Sequence, residues 1–137
     1  MTQEEDDVGL DIAGAFGAEP DVSSQSFAIY VPNKDRDGHE IGNQRQWVLE
    51  ALGLLAGAGG GATAMPPVEG VWLNSEQGEF VWENPVIVYS YIKPDEFLER
   101  LPQLKAFLHR MGRETRQGEI VFEFDGRFYR IRKFDGE

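Results

Sequence analysis

The residues with the greatest capacity for chemistry lie in one polar loop, over positions 33–40. Its letters, NKDRDGHE, place oxygen-bearing side chains at alternate positions before a glycine, which is the pattern of the first half of a calcium loop. Three features disfavour calcium: Gln44 stands where a bidentate glutamate would close the shell, the apolar anchor is displaced to Ile41, and two bases in the loop, at positions 34 and 36, offset the acidic charge. A solvated Asp-Gly turn is the alternative to a calcium or other divalent-ion site. The candidate ligands are Asn33, Asp35, Asp37 and His39.

The same loop brings a histidine together with carboxylates, which are the groups used in general acid-base catalysis. For an enzyme or small-ligand protein, we expect a pocket between sheet and helices, roofed by the glycine-rich segment 57–63. That segment, GAGGGAT, follows a helical pattern and leads to a strand, whereas phosphate loops follow a strand and precede a helix. It is therefore interpreted as a flexible connector. The polar groups expected in such a pocket are Asp35, Asp37, His39, Arg113 and Tyr89.

Charge is unevenly distributed along the 137 residues, whose formal net charge is -11. The first 25 residues contain seven acids and no base, which predicts a disordered acidic tail followed by one domain over 26–137. The segment 105–133 carries eight of the 13 bases against four acids. Five arginines are expected to converge there and to bind carboxylates or phosphates, with ion pairing inside the fold as the alternative. They are Arg110, Arg113, Arg116, Arg130 and Arg132.

Several classes of protein are excluded or disfavoured by composition. The chain has no cysteine, which excludes a disulfide framework, a zinc-thiolate site, an iron-sulfur cluster and a cysteine nucleophile. It begins with neither a secretory signal nor an apolar span, and these features predict a cytoplasmic protein without membrane association. The pI near 4.6 disfavours nucleic-acid binding. No spacing of His, Cys, Ser or Asp forms a recognisable catalytic set.

The order of apolar patterns predicts the fold. A strand over 26–31 precedes a helix over 43–56, for which Asn43 is the expected N-cap and Gly57 the expected stop. Strands over 68–74 and 80–92 are expected to form a hairpin, interrupted near Pro85. A second helix runs from Pro94 to Gly112, with Pro102 as a kink or restart. The last hairpin turns at the Asp-Gly pair 125–126.

The predicted order β-α-β-β-α-β-β is typical of an α+β protein of the ferredoxin-like plait type, in which an antiparallel sheet carries two helices on one face. The hairpin register over 119–134 follows from its two-residue turn: Phe122 should oppose Tyr129, with Ile120 opposite Ile131 on the core face. Aromatic residues on the middle strands are expected either in the core or as an interface patch on the open face of the sheet. The patch would contain Trp72, Trp82, Tyr89 and Tyr91.

The chain resembles small, uncharacterised bacterial proteins of the ferredoxin-like plait type over roughly residues 26–134. The resemblance rests on the segment IYVPNKDRDG, on GGAT followed by EGVW, and on the order of elements. It implies the plait fold and a tendency to form homo-oligomers, and it carries no catalytic residue.

These observations lead to three functional hypotheses. The first is a non-catalytic oligomeric or accessory module that binds itself and a protein partner through the open sheet face and segregated charge. The second is a small-ligand or divalent-metal-dependent enzyme, with calcium or another divalent ion as the cofactor if any is present. The third is phosphate or nucleic-acid binding through the C-terminal arginines.

Overall fold

A five-stranded antiparallel sheet organises the chain, in the strand order β2-β5-β1-β6-β7. The computed structural model describes residues 11–20 and 25–136. Two long helices, α2 and α3, cover one face of the sheet, so the α+β plait predicted from the sequence is confirmed. The elements are α1 (Ile12–Phe16), β1 (Gln25–Val31), α2 (Gln44–Gly59), β2 (Thr63–Ala64), β3 (Gly70–Asn74), β4 (Glu79–Glu83), β5 (Val86–Ile92), α3 (Pro94–Glu114), β6 (Ile120–Phe124) and β7 (Arg127–Ile131).

The core lies between the sheet and the two helices. Alternate residues of β1 and β5 point into it, because successive side chains of a strand face opposite sides of the sheet. The rings of Trp47 on α2 and Phe107 on α3 meet at a centroid distance of 5.9 Å, so Trp47 is a core residue. The fully buried side chains include Ile29, Val31, Val48, Leu55, Val88, Ile92, Leu104, Phe107, Met111 and Ile120.

Helix α2 continues beyond the stop that the sequence predicts. It begins after Asn43, as expected, although the Asn43 side chain makes no capping hydrogen bond. It ends at Gly59 and is followed by Gly60, whose φ of 90° is left-handed. The last turn can lie this close to β5 only because Gly59 has no side chain. A Cβ on Gly59 would lie 2.6 Å from both the Ser90 hydroxyl and the Tyr91 carbonyl oxygen. The glycine-rich segment therefore places the end of α2 directly against β5, and only its last residues form the connector to β2.

Helix α3 is continuous through Pro102, and the predicted restart does not occur. Because Pro102 has no N–H, the carbonyl oxygen of Leu98, four residues earlier, lacks its helical hydrogen-bond donor. Both residues are exposed, so water can donate to this oxygen instead. The buried side of α3 contains Leu104, Phe107, Leu108 and Met111, whereas Leu101 is 43% exposed.

The C-terminal hairpin has the predicted register. Phe122 opposes Tyr129 and Ile120 opposes Ile131, with Asp125 and Gly126 at positive φ in the turn. These angles are those of the type I′ turn that Asp-Gly favours. The side chain of Glu119 forms ion pairs with Arg132 at 3.3 Å and with Arg130 at 3.5 Å, on the solvent-facing side.

The middle hairpin is a correction to the predicted sheet. Strands β3 and β4 pair with each other, as expected, but form a separate two-stranded sheet. The break falls at Asn84 and Pro85: Pro85 has no N–H for a ladder, and the Asn84 N–H donates instead to the Asn33 side-chain oxygen at 2.9 Å. The short strand β2, which the sequence pattern did not reveal, pairs with β5 in the main sheet.

The acidic tail predicted over 1–25 lies largely outside the described residues. Within it, Asp11 caps the five-residue helix α1 by accepting a hydrogen bond from the Gly14 N–H at 2.9 Å, and Ile12 and Phe16 are exposed. Among the helices of the described segments, none combines the length and apolar character that crossing a membrane requires.

Candidate functional site

A cleft of about 740 Å³ separates the open face of the main sheet from the β3–β4 hairpin. This volume is within the range of small-molecule sites. The cleft does not lie between the sheet and the helices, where the sequence analysis placed a pocket, because the hydrophobic core fills that space. The sheet contributes Tyr30, Val121, Phe128 and Arg130, the hairpin contributes Trp72, Val81 and Glu83, and the loops contribute Lys34 and Gln117.

Polar side chains hold the base of the hairpin in place over the sheet. The Gln44 amide, at the start of α2, donates to the carbonyl oxygens of both Val31 and Asn84 at 3.1 Å. The Lys34 ammonium donates to the Trp82 carbonyl oxygen at 3.1 Å. Together with the Asn33 to Asn84 contact, these bonds fix the hairpin relative to β1 and so define the width of the cleft.

Glu83 is the acidic group on the hairpin wall of the cleft. It is half-buried and lies opposite Gly70, which has no side chain to occupy the space. Burial raises the pKa of the Glu83 carboxyl above its usual value, while the positive charge of Lys34 and a hydrogen bond from the Trp72 side chain lower it in part. A carboxylate in such a position can attract a cationic ligand, and its raised pKa makes it a better proton acceptor than an exposed glutamate.

Tyr30 forms the floor of the cleft with Phe128. The Tyr30 hydroxyl donates to a Glu123 carboxylate oxygen at 2.5 Å, and this hydrogen bond, followed by burial, raises the pKa of Tyr30 to about 12. The Phe128 ring meets Tyr30 edge to face at 6.3 Å, and the Arg130 guanidinium lies 5.2 Å from the Phe128 centroid. The floor therefore combines aromatic surface with one cation.

The five candidate arginines lie in three places. Arg110 pairs with Glu50 and Arg113 donates to the Asp135 carbonyl oxygen, both on the outside of α3. Arg116 pairs with Asp37 at 3.2 Å. Only Arg130 and Arg132 lie at the cleft, where Glu119 pairs with both. No common anion site is formed by all five, and binding of an anion by any of them stays a prediction.

The polar loop brings three of its four candidate metal ligands together. Ligand atoms of Asp35, Asp37 and His39 lie within 4.8 Å of one another. Asp35 accepts hydrogen bonds from the Asp37 and His39 backbone N–H groups at 2.9 and 3.0 Å, and the His39 bond is the main cause that lowers the pKa of Asp35. Asn33 is engaged elsewhere, with Glu40 and Asn84. A divalent ion here remains a prediction.

The four candidate interface aromatics do not form one surface. Trp72 opposes Val81 and Trp82 opposes Val71, so the two tryptophans lie on opposite faces of the hairpin. Tyr89 and Tyr91 lie on the open face of β5, where their rings meet at 6.4 Å. Tyr89 does not line the cleft, contrary to its expected role in a ligand pocket.

The fold and cleft define an α+β plait with an inserted hairpin, and two solved structures share this fold. No protein-family model matches the sequence, and no curated protein matches it. A phage SAM lyase in complex with S-methyl-5'-thioadenosine is 17% identical, with a TM-score of 0.54 over 84% of this chain and 94% of that chain. A phage SAM lyase in the apo state is 17% identical, with a TM-score of 0.53 over 87% and 98%.

These comparisons correct the leading hypothesis drawn from the sequence. The hypothesis of a non-catalytic binding module is wrong. Both matched structures are of an enzyme, and the match covers 94% and 98% of their chains. The enzyme alternative is better supported.

Proposed function

We propose that this chain is an enzyme that cleaves a carbon–sulfur bond of S-adenosylmethionine, or of a close nucleoside sulfonium, to release a neutral nucleoside thioether. The observation that carries the proposal is the near full-length fold match to a SAM lyase that binds S-methyl-5'-thioadenosine. The aromatic and acidic cleft on the open sheet face supports it, because it offers the groups that such a substrate requires.

The substrate has three parts that match the cleft chemically. Its sulfonium is a permanent cation, which a carboxylate such as Glu83 attracts and an aromatic face such as Trp72 stabilises. Its adenine is a flat ring for which Tyr30 and Phe128 offer stacking surface. Its amino-acid carboxylate is an anion that Lys34 can pair with at the cleft rim.

The reaction requires little of the protein beyond binding and electrostatics. Both electrons of the breaking bond remain on sulfur, which becomes neutral as it leaves. The carbon is either attacked by the substrate's own carboxylate, which closes a lactone without net proton transfer, or loses an adjacent proton to Glu83 and becomes an alkene. A fixed negative charge beside the sulfonium orients the substrate in both routes.

The test is product analysis by chromatography and mass spectrometry after incubation with S-adenosylmethionine. We expect S-methyl-5'-thioadenosine from the wild type, together with a lactone or an alkene that identifies the route. Glu83→Gln should lower the rate strongly, whereas Glu99→Gln, on the exposed face of α3, should leave it unchanged. Absence of the thioether product from folded wild-type protein would overturn the proposal.

A further inference from the structure

The outer face of the β3–β4 hairpin is an apolar surface that no described residue covers. Two cross-strand pairs form it, Val71 with Trp82 and Leu73 with Phe80. Their exposed fractions are 48%, 59%, 57% and 68%, respectively. An isolated two-stranded hairpin is only marginally stable in water, and contiguous exposed apolar side chains mark interaction sites. Val71 and Leu73 also border the cleft, but Phe80 and Trp82 do not, so the cleft does not account for the exposure of this aromatic pair.

Charge indicates what kind of surface fits the hairpin. The segment 68–92, which contains both hairpin strands and β5, has four acids and no base: Glu69, Glu76, Glu79 and Glu83. Glu79 and Glu83 share the inner face with Trp72, but all four acids lie in or beside one short hairpin. A symmetric contact between two outer faces would therefore still bring like charges near each other, which disfavours it. The complementary surface must instead be basic and partly apolar.

Strand β7 of the same chain has this character. It is an edge strand of the main sheet, with Phe128 53% and Tyr129 40% exposed. Arg127 at its start and Lys133 two residues beyond its end are both exposed. Neither forms an ion pair within residues 11–20 and 25–136. An edge strand also presents unpaired backbone groups that another chain can bind.

We propose that the outer face of the hairpin docks head to tail on the β7 edge of a second copy of this chain. A contact between two different surfaces of identical chains is heterologous, so each copy donates a hairpin and accepts one, and repetition generates a ring or a filament. This inference does not rest on the proposed reaction. Val71, Leu73 and Phe128 also line the cleft, but Phe80, Trp82, Arg127 and Lys133 do not, so assembly can be tested apart from the reaction.

The experiment is sedimentation velocity with light scattering on the full chain across a dilution series. We expect the wild type to exceed the mass of one chain. Phe80→Lys should weaken assembly by about 30-fold or more, as loss of a central aromatic does. Leu98→Lys is the matched control, since Leu98 is equally exposed, at 67%, on the distant helix α3. Circular dichroism establishes that each variant is folded.

Mixing decides whether the contact is head to tail. The Arg127→Glu/Lys133→Glu chain should also lose assembly, because its acceptor surface becomes acidic. Equal amounts of this chain and of Phe80→Lys should form a two-chain complex. The double variant keeps an intact hairpin, and the Phe80→Lys chain keeps the intact β7 edge that this hairpin binds. A monomeric wild type, an assembled Phe80→Lys chain, or failure of the mixture to associate would each overturn the proposal.

Discussion

Glu83→Gln should move stability and activity in opposite directions. Glutamine keeps the length of the side chain and an oxygen that can accept the Trp72 hydrogen bond, but it removes the charge. Burial of the Glu83 carboxylate costs free energy, and Lys34 offsets part of that cost. We therefore expect the free energy of unfolding to rise at neutral pH by up to about 1 kcal/mol, and Tm by a few °C. Activity should fall about 100-fold, as expected when a positioned catalytic carboxylate is lost.

The pH dependence gives this prediction a second readout. Because the folded-state pKa of Glu83 is raised, its destabilising effect is present above that pKa and disappears as the pH falls toward the ordinary value of 4.5. Thermal denaturation followed by circular dichroism should therefore show the stability gap between variant and wild type closing on acidification. The wild-type rate should fall with acid already above pH 4.5, while the residual rate of Glu83→Gln should not follow that titration.

One result would refute the reasoning. If Glu83→Gln is less stable than the wild type at neutral pH and equally active, Glu83 serves as a structural acceptor for Trp72 and not as a charged group of the cleft. Glu99→Gln, which removes an exposed carboxylate from α3, sets the background for both measurements.

Three further predictions concern the elements that position the cleft and core, and urea denaturation measures all of them. Tyr30→Phe should lower the free energy of unfolding by about 1–2 kcal/mol by removing the hydrogen bond to Glu123. The Tyr30 pKa is raised to about 12, so the stability difference between wild type and variant should be complete below the usual pKa of 10.0. It should be lost as the pH rises through about 12. Gly112→Ala should cost about 2–3 kcal/mol, because its Cβ would lie 2.2 Å from the Phe134 ring, whereas Gly118→Ala, which meets no atom within 4 Å, should cost less than about 0.5 kcal/mol. Phe107→Ala should cost about 3–5 kcal/mol, against less than about 0.5 kcal/mol for Leu98→Ala, because only Phe107 is buried.

Local sequence signals predicted the elements whose formation depends on neighbours in the chain. The Asp-Gly pair at 125–126 sets the turn, and alternation then sets which residues of β6 and β7 face the core, so the register was correct residue by residue. Pro85 likewise indicated the break after β4. Helix α2 was placed correctly by its apolar spacing, but Asn43 makes no side-chain capping bond and the predicted end was wrong. The end was wrong because glycine was interpreted as a stop where it permits close packing on β5.

The cleft depends on contacts between distant residues, which explains why the sequence did not reveal it. The hairpin leaves the main sheet because Asn33 and Gln44 bind the backbone of Asn84, across 51 and 40 residues of chain. Strand β2 takes the place beside β5 with only Thr63 and Ala64, which are too few to give a periodic pattern. A signal for the hairpin anchor did exist in the two asparagines beside strand ends, since such residues commonly bond to nearby backbone.

Register within the hairpin separates its two surfaces. Because Asn74 pairs with Glu79 across the turn, Trp72 falls opposite Val81 and faces the cleft, while Trp82 falls opposite Val71 and faces outward. A shift of one residue in the turn would exchange these faces, since side chains alternate along each strand. Glu83 on the inner face and Phe80 on the outer face can therefore be changed independently, because Glu83 lines the cleft and Phe80 does not. Glu83→Gln should affect catalysis without dissociating the assembly, and Phe80→Lys should dissociate the assembly without altering the cleft charge. If Phe80→Lys also abolishes the reaction while remaining folded, the β7 edge of one copy and the hairpin of the next must jointly form the working site, because Phe80 itself does not line the cleft.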